Sequence, residues 1–541
     1  MNIFIQNTFY SGINKKSNYM LLFLLMSFSF LSAQISSLTL ETKVNSTTSN
    51  AQKNAKVAMD DAGNYLVVWE SYGQDGNEFG VYGQWYNADS TANGSEFQVN
   101  TSTTNKDQRF PAVAVTEDGR SSIVWVEDEE DGSGWTLKAK FYDASHAAVT
   151  SAISIRTSSN GQQRWPDVQM DNSGNSVITW TQVANNNSSY IVYFQVRNAT
   201  GTGLFAPIQT NDVTSSFNGY SKVAVEENGD FAIVWQSLGS DTATTHGIMC
   251  ERFNASGASQ GTEFQVNSEV TGNQISPDIA MDSTGNFMVV WTSASQDGDR
   301  DGIYGQRYTN TGATDGSEFQ VSTTTVGSQN HPSIGMSKNG AAAVAWNSYG
   351  TDGDYDGIYL QAYNLDGSSN GSETKINANT SGFQQFSEIG AYGISNNMVI
   401  SWADGLRNSS STNDGSDYGV YFKLFNISAP LVASSSVTST ISCNGDTDGQ
   451  LTATGVGGTT PYTYSWNTGG TSALETGLGA GTYAVTITDA TGSTDSSSVT
   501  LTQPTALVSS SAVTSAITCN GDNNGQTTAS ATGGTTPYTY S

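Results

Sequence analysis

The chain has 541 residues, which is too many for one hydrophobic core, so two or more domains are expected. Apolar residues make up 36% of the chain and recur in strand-like runs, which excludes general disorder, and no long stretch repeats them at helical spacing. The formal net charge is −28, from 21 Lys and Arg against 49 Asp and Glu, and this balance argues against a nucleic-acid partner, whose phosphates require a basic surface.

Residues 1–33 have the features of an export signal. Lys15 and Lys16 precede an apolar stretch of 12 residues, 20–31, and small residues follow before a predicted cleavage at Gln34. Because about 20 apolar residues are needed to span a bilayer, this stretch favours export over the alternative, a membrane anchor. No later segment has the sequence of a transmembrane helix, so the mature chain is expected to have none.

A repeated segment dominates residues 40–426. Its clearest copy, residues 279–291, reads IAMDSTGNFMVVW and is followed by an Asp-Gly-rich turn. The final tryptophan of this segment recurs at intervals of 55 or 56 residues, at Trp69, Trp125, Trp180, Trp235, Trp291, Trp346 and Trp402. A near-constant period of this length is typical of propellers, solenoids and other repeat architectures. We expect each tryptophan to be buried between neighbouring repeats rather than to form a sugar-stacking surface.

Each copy contains four predicted strands. In the first copy they are residues 57–59, 65–69, 80–86 and 96–100, with turn-rich links between them. Four antiparallel strands per repeat make one blade of a β-propeller. The sequence therefore predicts an all-β fold in which residues 34–429 form a seven-bladed β-propeller.

The two ends of the repeat region predict how the ring closes. The fourth-strand motif, EFQVN at residues 96–100, already has a counterpart at residues 41–45, before the first full copy. The last copy ends at residues 421–426, with no fourth strand after it. We therefore expect residues 40–45 to pair with the strand near residues 420–425, an N-terminal strand closure that removes two open sheet edges.

The composition changes after Pro430, where a second kind of unit begins. Two motifs recur with a period of 76 residues, SCNGD at 442–446 as TCNGD at 518–522, and GGTTPYTYS at 457–465 unchanged at 533–541. Residues 482–488 alternate with period two, which predicts Ig-like β-sandwich repeats over 430–504 and 505–541. Because half a sandwich cannot bury its inner face, the second unit is expected to be truncated and the full protein to carry more copies.

These motifs resemble the SprB repeat of surface adhesins of gliding bacteria, through the CNGD run, the GGTxPYxYSW run and residues 480–489. The resemblance implies an Ig-like spacer, a secreted or outer cell-surface location, and export by a type IX system. Its sorting domain, and with it the surface attachment, would lie in a C-terminal region missing from this sequence. In that family a second cysteine follows the Asp-x-x-Gly turn, where this chain has Ser493, so Cys443 has no expected partner in its own module. Cys250 lies within a predicted strand and is expected to be an inert buried thiol.

Two Asp-Gly turns of the form D-x-D-x-D-G are candidate calcium loops. Three carboxylates at alternate positions before a glycine can wrap a hard cation, and similar loops in integrin-type propellers hold calcium. The six candidate ligands are Asp297, Asp299, Asp301, Asp352, Asp354 and Asp356. Neither loop has an acid at its ninth or twelfth position, so a solvated turn is the alternative.

A second candidate site is formed by the linkers before the first strands. Several of them end in proline, as QRFP does at residues 108–111, and in a propeller they cross one face near the central channel. Arginine and aromatic side chains there suit an anionic or sugar ligand. The predicted ligand-binding face consists of Arg109, Arg164, Trp165, Tyr220, His331 and Phe386. The alternative is turn packing, with proline starting the strand.

Signatures of catalysis are weak in this sequence. It has three histidines without metal-ligand spacing and no G-x-S-x-G nucleophile motif. We interpret the chain as an exported adhesion or binding protein whose propeller binds an extracellular glycan or protein and whose C-terminal repeats are spacers, with calcium as the one candidate cofactor. Two alternatives stay open: a polysaccharide-active glycosidase or lyase with accessory modules, and a structural component of the cell surface.

Overall fold

The computed structural model describes residues 35–541 except 77, 102–105, 130–133, 156–160, 185–188, 212–216, 241–243, 352, 365, 392, 394–395, 406–417, 428–430, 459–460 and 491. All of the described residues belong to one compact unit, residues 32–541. They form strands and turns and contain no helix, which confirms the all-β prediction. The predicted export signal lies outside the described residues.

Each sequence repeat contributes an antiparallel series of strands, numbered in chain order. The first strands are β3 (Gln52–Met59), β7 (Gln108–Val115), β11 (Gln162–Met170), β15 (Asn218–Val225), β19 (Gln274–Met281), β23 (Gln329–Met336) and β27 (Phe383–Ala391). The second strands, which carry the repeated tryptophans, are β4 (Tyr65–Tyr72), β8 (Ser121–Asp128), β12 (Ser176–Val183), β16 (Phe231–Leu238), β20 (Phe287–Ala294), β24 (Ala342–Tyr349) and β28 (Asn397–Gly405).

The third strands are β5 (Phe79–Tyr86), β9 (Trp135–Tyr142), β13 (Tyr190–Arg197), β17 (His246–Phe253), β21 (Asp301–Tyr308), β25 (Asp356–Tyr363) and β29 (Tyr418–Ile427). The fourth strands, shorter and more exposed, are β6 (Ala92–Gln98), β10 (Ile153–Ile155), β14 (Ile208–Gln209), β18 (Phe264–Gln265), β22 (Phe319–Gln320) and β26 (Ser369–Lys375). Two N-terminal strands, β1 (Ile35–Ser37) and β2 (Thr42–Lys43), precede the first repeat.

The Asp-x-x-Gly-Asn segment of the repeat forms the hairpin between the first and second strands. In the first repeat the Asp60 carboxylate accepts the Asn64 backbone N–H at 2.7 Å, and Gly63 has φ +84°. This backbone conformation is readily adopted by glycine and is disfavoured for residues with a Cβ. The hairpin therefore explains why both the aspartate and the glycine recur in the sequence.

Antiparallel pairing joins the strands of each repeat in sequence order. Among the described residues, five repeats form separate four-stranded sheets, and the last two share one nine-stranded sheet with β1 and β2. A single parallel pair, Asp356 with Phe383, links the two halves of that larger sheet. The first strands contact one another in a cycle that runs from β3 through β7, β11, β15, β19, β23 and β27 and returns to β3. A cyclic order of antiparallel sheets is the architecture of a β-propeller.

The predicted N-terminal closure of the ring is present. Strand β2 pairs with β29, with Lys43 opposite Tyr421. The Asn45 side chain accepts the Val420 backbone N–H at 2.9 Å, just as Asn100 accepts the corresponding N–H of the first repeat at 3.0 Å. The N-terminal segment therefore occupies the fourth-strand position of the last repeat.

The glutamate that opens the fourth-strand motif joins neighbouring sheets. Its carboxylate accepts the backbone N–H of a residue just after the fourth strand of the preceding repeat, at 2.6–2.8 Å. The pairs are Glu96 with Ser46, Glu318 with Ser268, Glu373 with Thr323, and Glu41 with Ala378. The last pair repeats the contact across the closure, so the ring is closed by the same interaction that joins its other sheets.

The seven repeated tryptophans are completely buried, as predicted. Each belongs to an apolar cluster shared by two adjacent repeats; Trp125, for example, packs with Val113 of its own repeat and with Leu66 and Val68 of the preceding one. Seven such clusters follow one another around the cycle within the described residues. Replacing one such tryptophan by alanine generally costs about 3–5 kcal/mol. The thiol of Cys250 is also buried, and burial raises its pKa above the usual range.

The C-terminal part of the described chain has a separate apolar core. Strands β30 (Val432–Ser439), β31 (Gly449–Val456) and β33 (Leu474–Leu478) form one sheet, and β32 (Thr463–Trp466), β34 (Gly481–Thr488) and β35 (Thr494–Leu501) form another. The buried side chains of this part include Leu451, Trp466 and Val485. A further hairpin consists of β36 (Val508–Ser515) and β37 (Gln526–Thr532). It has the same residue pairing as β30 with β31, 76 positions later in the sequence. Cys443 and Cys519 are exposed free thiols.

Candidate functional site

A β-bulge interrupts the first strand of every repeat at the same position. In β3 the pairing with β4 shifts between Lys53 and Lys56, and the other six first strands shift at the corresponding residues. One residue in each bulge has φ between +50° and +59°, namely Asn54, Phe110, Trp165, Tyr220, Ser276, His331 and Phe386. Such a conformation costs a residue other than glycine on the order of 1–3 kcal/mol and is concentrated at functional sites. Bulges of this kind redirect a side chain out of the sheet.

The bulges of all seven repeats line one cavity of about 430 Å³. The bulge residues themselves form its wall, and Pro111, Pro166, Pro277 and Pro332 follow four of them. Because each repeat contributes, the cavity lies at the axis of the cycle of first strands. This location corresponds to the mouth of a central channel, and we call the cavity the axial cavity.

Aromatic rings dominate the wall of the axial cavity. Trp165 and Tyr220 stack with their ring centroids 4.2 Å apart and an interplanar angle of 26°. His331 and Phe386 lie 6.2 Å apart in a tilted arrangement. Tyr220 is 41% exposed and Phe110 is 36% exposed, although both lie within strands. Large exposed aromatic surfaces inside a concave site are typical of ligand-binding cavities.

A cluster of charged residues lies beneath the axial cavity, two positions after the bulge residues. Lys222 Nζ lies 3.6 Å from Asp167, 3.8 Å from Asp278 and 3.9 Å from Glu388, which also pairs with Lys56. Although burial alone would lower the pKa of Lys222, the three carboxylates raise it well above its usual range. Burial raises the pKa of Asp278 to about 6. These five residues form what we call the charged floor.

The pKa of Asp278 predicts a pH dependence of stability. In the unfolded chain this carboxyl loses its proton near its ordinary pKa of 3.8, whereas in the folded chain it keeps the proton up to about pH 6. Between these values the folded state binds more protons at this carboxyl, so its contribution to the free energy of unfolding falls as the pH rises. We expect Asp278→Asn, which keeps an oxygen to accept the Ile334 N–H, to reduce this fall. Denaturant titrations of the wild type and the variant at pH 4 and pH 6.5 measure the change in the free energy of unfolding. Equal falls for the two proteins would contradict the raised pKa of Asp278.

A second charged cluster lies at the opposite end of the channel. Below the charged floor the first strands enclose a space of about 120 Å³, which ends at residues such as Met59 and Met281. Lys338 lies two positions after the end of β23. Its Nζ lies 3.3 Å from Asp61 and 3.0 Å from Glu227, and it also bonds Glu117. Its three partners come from repeats one, two and four. Lys338 therefore ties distant repeats together at this end.

Four of the six residues predicted for the ligand-binding face line the axial cavity: Trp165, Tyr220, His331 and Phe386. The two arginines do not line it. Arg109 bonds the buried carboxylate of Glu70 at 3.0 Å and lies over the ring of Phe79, and Arg164 donates to the Gln162 side chain at 3.0 Å. Both arginines immediately precede a bulge residue, so their side chains leave the strand in a different direction.

Sequence reasoning missed several residues of the axial cavity. Phe110 occupies the bulge position of the second repeat, and Lys56, Lys222 and Glu388 contribute to the floor. Ser387 lines the cavity with its hydroxyl buried and without a hydrogen-bond partner among the described residues. Four of the seven linkers have a proline directly after the bulge residue. Aligning the linkers on that proline would have identified Phe110. The floor residues lie two positions later in the same alignment.

The aspartates of the two predicted calcium turns bond to the linker that follows. Asp299 accepts the Gly327 N–H at 2.9 Å, Asp301 accepts the Ser328 hydroxyl at 2.7 Å, and Asp354 accepts the Gly382 N–H at 3.0 Å. Asp356 bonds the Gln385 side chain, and Asp352 lies outside the described residues.

Asp297 lies directly over Gly302, where a Cβ would stand 2.8 Å from its carboxylate oxygen. This contact accounts for the glycine that ends the D-x-D-x-D-G motif. No group of three potential ligands close enough to hold a metal ion occurs in the part of the chain that the structure describes. Calcium stays a prediction from the sequence.

A thermal-shift experiment tests the calcium prediction. A ligand that binds the folded state raises the Tm, so calcium binding in these turns would raise it at millimolar CaCl2. The variant Asp297→Asn would then show a smaller shift than the wild type. A Tm that does not respond to calcium would remove the prediction.

No curated protein matches the chain in sequence. Among solved structures, a protein of unknown function from Dyadobacter fermentans is 9% identical, with 73% of this chain and 99% of that chain covered and a TM-score of 0.45. The α-L-arabinanase of Penicillium chrysogenum, solved with arabinobiose, is 14% identical, with 61% and 98% covered and a TM-score of 0.40.

A third similar structure is the β-propeller domain of the Trilobed protease from Pyrococcus furiosus, which is 10% identical, with 64% of this chain and 89% of that chain covered and a TM-score of 0.38. Within the described part of the chain, no helix has the length and apolar character required to cross a bilayer. Residues 435–471 and 511–541 match the family model of the SprB repeat, which confirms the resemblance drawn from the CNGD and GGTTPYTYS motifs.

Proposed function

We propose that this chain is a secreted or cell-surface binding protein whose propeller holds a ligand in the axial cavity and whose SprB repeats act as spacers. In this proposal the propeller has seven blades, because the nine-stranded sheet counts as two blades joined by one strand pair. The two three-stranded sheets of residues 432–501 are then one Ig-like sandwich.

The observation that carries the proposal is the composition of the axial cavity. Its wall contains one residue from each repeat, all in the same strained backbone conformation, and four of these residues are Phe, Trp or Tyr. Such strain persists only where the surrounding structure holds it in place, and it is common at binding sites. The aromatic faces offer flat apolar surfaces to a sugar ring, so an extracellular glycan is the favoured ligand.

The SprB match supports the adhesive role and the location. Repeats of this kind, displayed in series, would place a binding head at a distance from the cell surface. Many copies of a weak binding site on one surface give strong attachment through avidity.

The positions of the carboxylates favour binding over glycoside hydrolysis. Among the described residues that line the axial cavity, Glu388 is the one carboxylate, whereas Asp167 and Asp278, whose pKa values burial raises, line the space beneath it. Although burial alone would raise the pKa of Glu388, Lys222 and Lys56 hold it below its usual range. Hydrolysis by two carboxylates requires a protonated acid and a second carboxylate across the scissile bond. We therefore expect no new reducing ends and no unsaturated products when the protein is incubated with polysaccharides.

A glycan array tests the proposed function. The exported chain, residues 34–541, is labelled and applied to immobilised oligosaccharides, and binding to at least one glycan class is expected. A matched sample that carries both Trp165→Asn and Tyr220→Asn serves as the control. Absence of binding to every glycan would contradict the glycan proposal, and release of products from the bound class would favour the enzymatic alternative.

A further inference from the structure

We infer that the axial cavity accepts the terminal residue of an uncharged glycan chain, and not a residue within the chain. This inference rests on the proposed function and deepens it by naming the part of the glycan that enters. Two features of the cavity carry it: its closed outline and the charges of its floor.

The outline of the cavity leaves no path for a polymer to run through it. The bulge residues of all seven repeats surround it, so it has a wall on every side rather than two open ends. The charged floor separates it from the space below, and the Lys338 cluster spans the far end of the channel. An internal residue of a polysaccharide needs an exit for both neighbouring residues. A terminal residue needs one, and the open mouth supplies it.

The charged floor offers no free cation to an anionic ligand, because its two lysines face three carboxylates. Lys56 and Lys222 are the cations of the floor, and both are paired with carboxylates of the same cluster. Arg109 and Arg164, the cations that the sequence suggested for an anionic ligand, bond to other residues outside the cavity. A sulfated or carboxylated sugar would therefore have to displace an existing ion pair, whereas an uncharged sugar would not.

The experiment compares three sets of uncharged oligosaccharides on the array, with residues 34–541 as the probe protein. The first set shares a terminal residue on different internal chains, the second shares an internal chain with different terminal residues, and the third is cyclic and has no terminus. We expect binding to follow the terminal residue and the cyclic set not to bind. Binding that follows the internal chain, or equal binding of cyclic and linear forms, would overturn the inference while leaving the proposed function intact. Failure to bind any of the three sets would overturn both.

Discussion

Removing residues 34–45 is expected to lower the free energy of unfolding of the propeller by at least about 4 kcal/mol, because the last repeat loses its fourth strand. The deletion exposes the edge of β29, leaves the Val420 N–H without the Asn45 side chain, and removes the Glu41 contact to Ala378. It also uncovers the apolar cluster that contains Val44. Thermal and denaturant unfolding of a chain that begins at residue 46 measure the loss. A chain that ends at residue 506, without the exposed hairpin β36–β37, is the control and should melt like the full chain.

A matched pair of single substitutions makes the same test without a deletion. Asn45 and Asn100 accept equivalent backbone N–H groups, one across the closure and one within the first repeat. Both are buried, so Asn45→Ala and Asn100→Ala should destabilise the protein by similar amounts, on the order of 1–3 kcal/mol. A loss for Asn100→Ala with none for Asn45→Ala would mean that the N-terminal segment does not act as a fourth strand.

The double substitution Trp165→Asn and Tyr220→Asn is expected to weaken ligand binding by at least about 30-fold, because one aromatic contact of this kind contributes roughly 2 kcal/mol and the second ring adds to it. Asparagine is chosen because Asn54 holds the equivalent bulge position in the first repeat with φ +52°. The substitution therefore removes the stacked rings and keeps the strained backbone. Isothermal titration with the array-positive oligosaccharide measures the effect.

The control for this prediction is an exposed aromatic residue outside the axial cavity. Tyr349 is 43% exposed at the end of β24, so Tyr349→Asn should leave affinity unchanged. Unfolding curves of all variants distinguish lost binding from lost structure. If the double variant binds as tightly as the wild type, the axial cavity is not the binding site.

The propeller could be predicted from the sequence because its signals are local and periodic. A tryptophan every 55 or 56 residues marks the core of each repeat, and the EFQVN motif marks the fourth strand even where it stands before the first repeat. Each motif makes its contacts with the next strand or the next repeat. The structure of every repeat can therefore be predicted from one well-preserved copy. The closing contact of Asn45 with Val420 follows the same rule.

The candidate site was predicted only in part because it depends on strand register. The linkers were recognised, but a bulge displaces the alternation of side chains by one residue, so Arg109 leaves the cavity and Phe110 enters it. The charged floor joins Lys222 to Asp167 and Glu388, which are far apart in sequence and carry no motif. Its existence follows from the cyclic order of the strands, not from any one segment.

The measurement that tests the central claim most directly is hydroxyl-radical footprinting of residues 34–541 with and without the array-positive oligosaccharide. Tyr220 and Phe386 line the axial cavity, whereas Tyr72 and Tyr349 are equally exposed elsewhere. We predict that the ligand lowers the oxidation of Tyr220 and Phe386 and leaves that of Tyr72 and Tyr349 unchanged. Unchanged oxidation at the cavity, or protection confined to the other two tyrosines, would contradict binding at the axis of the propeller.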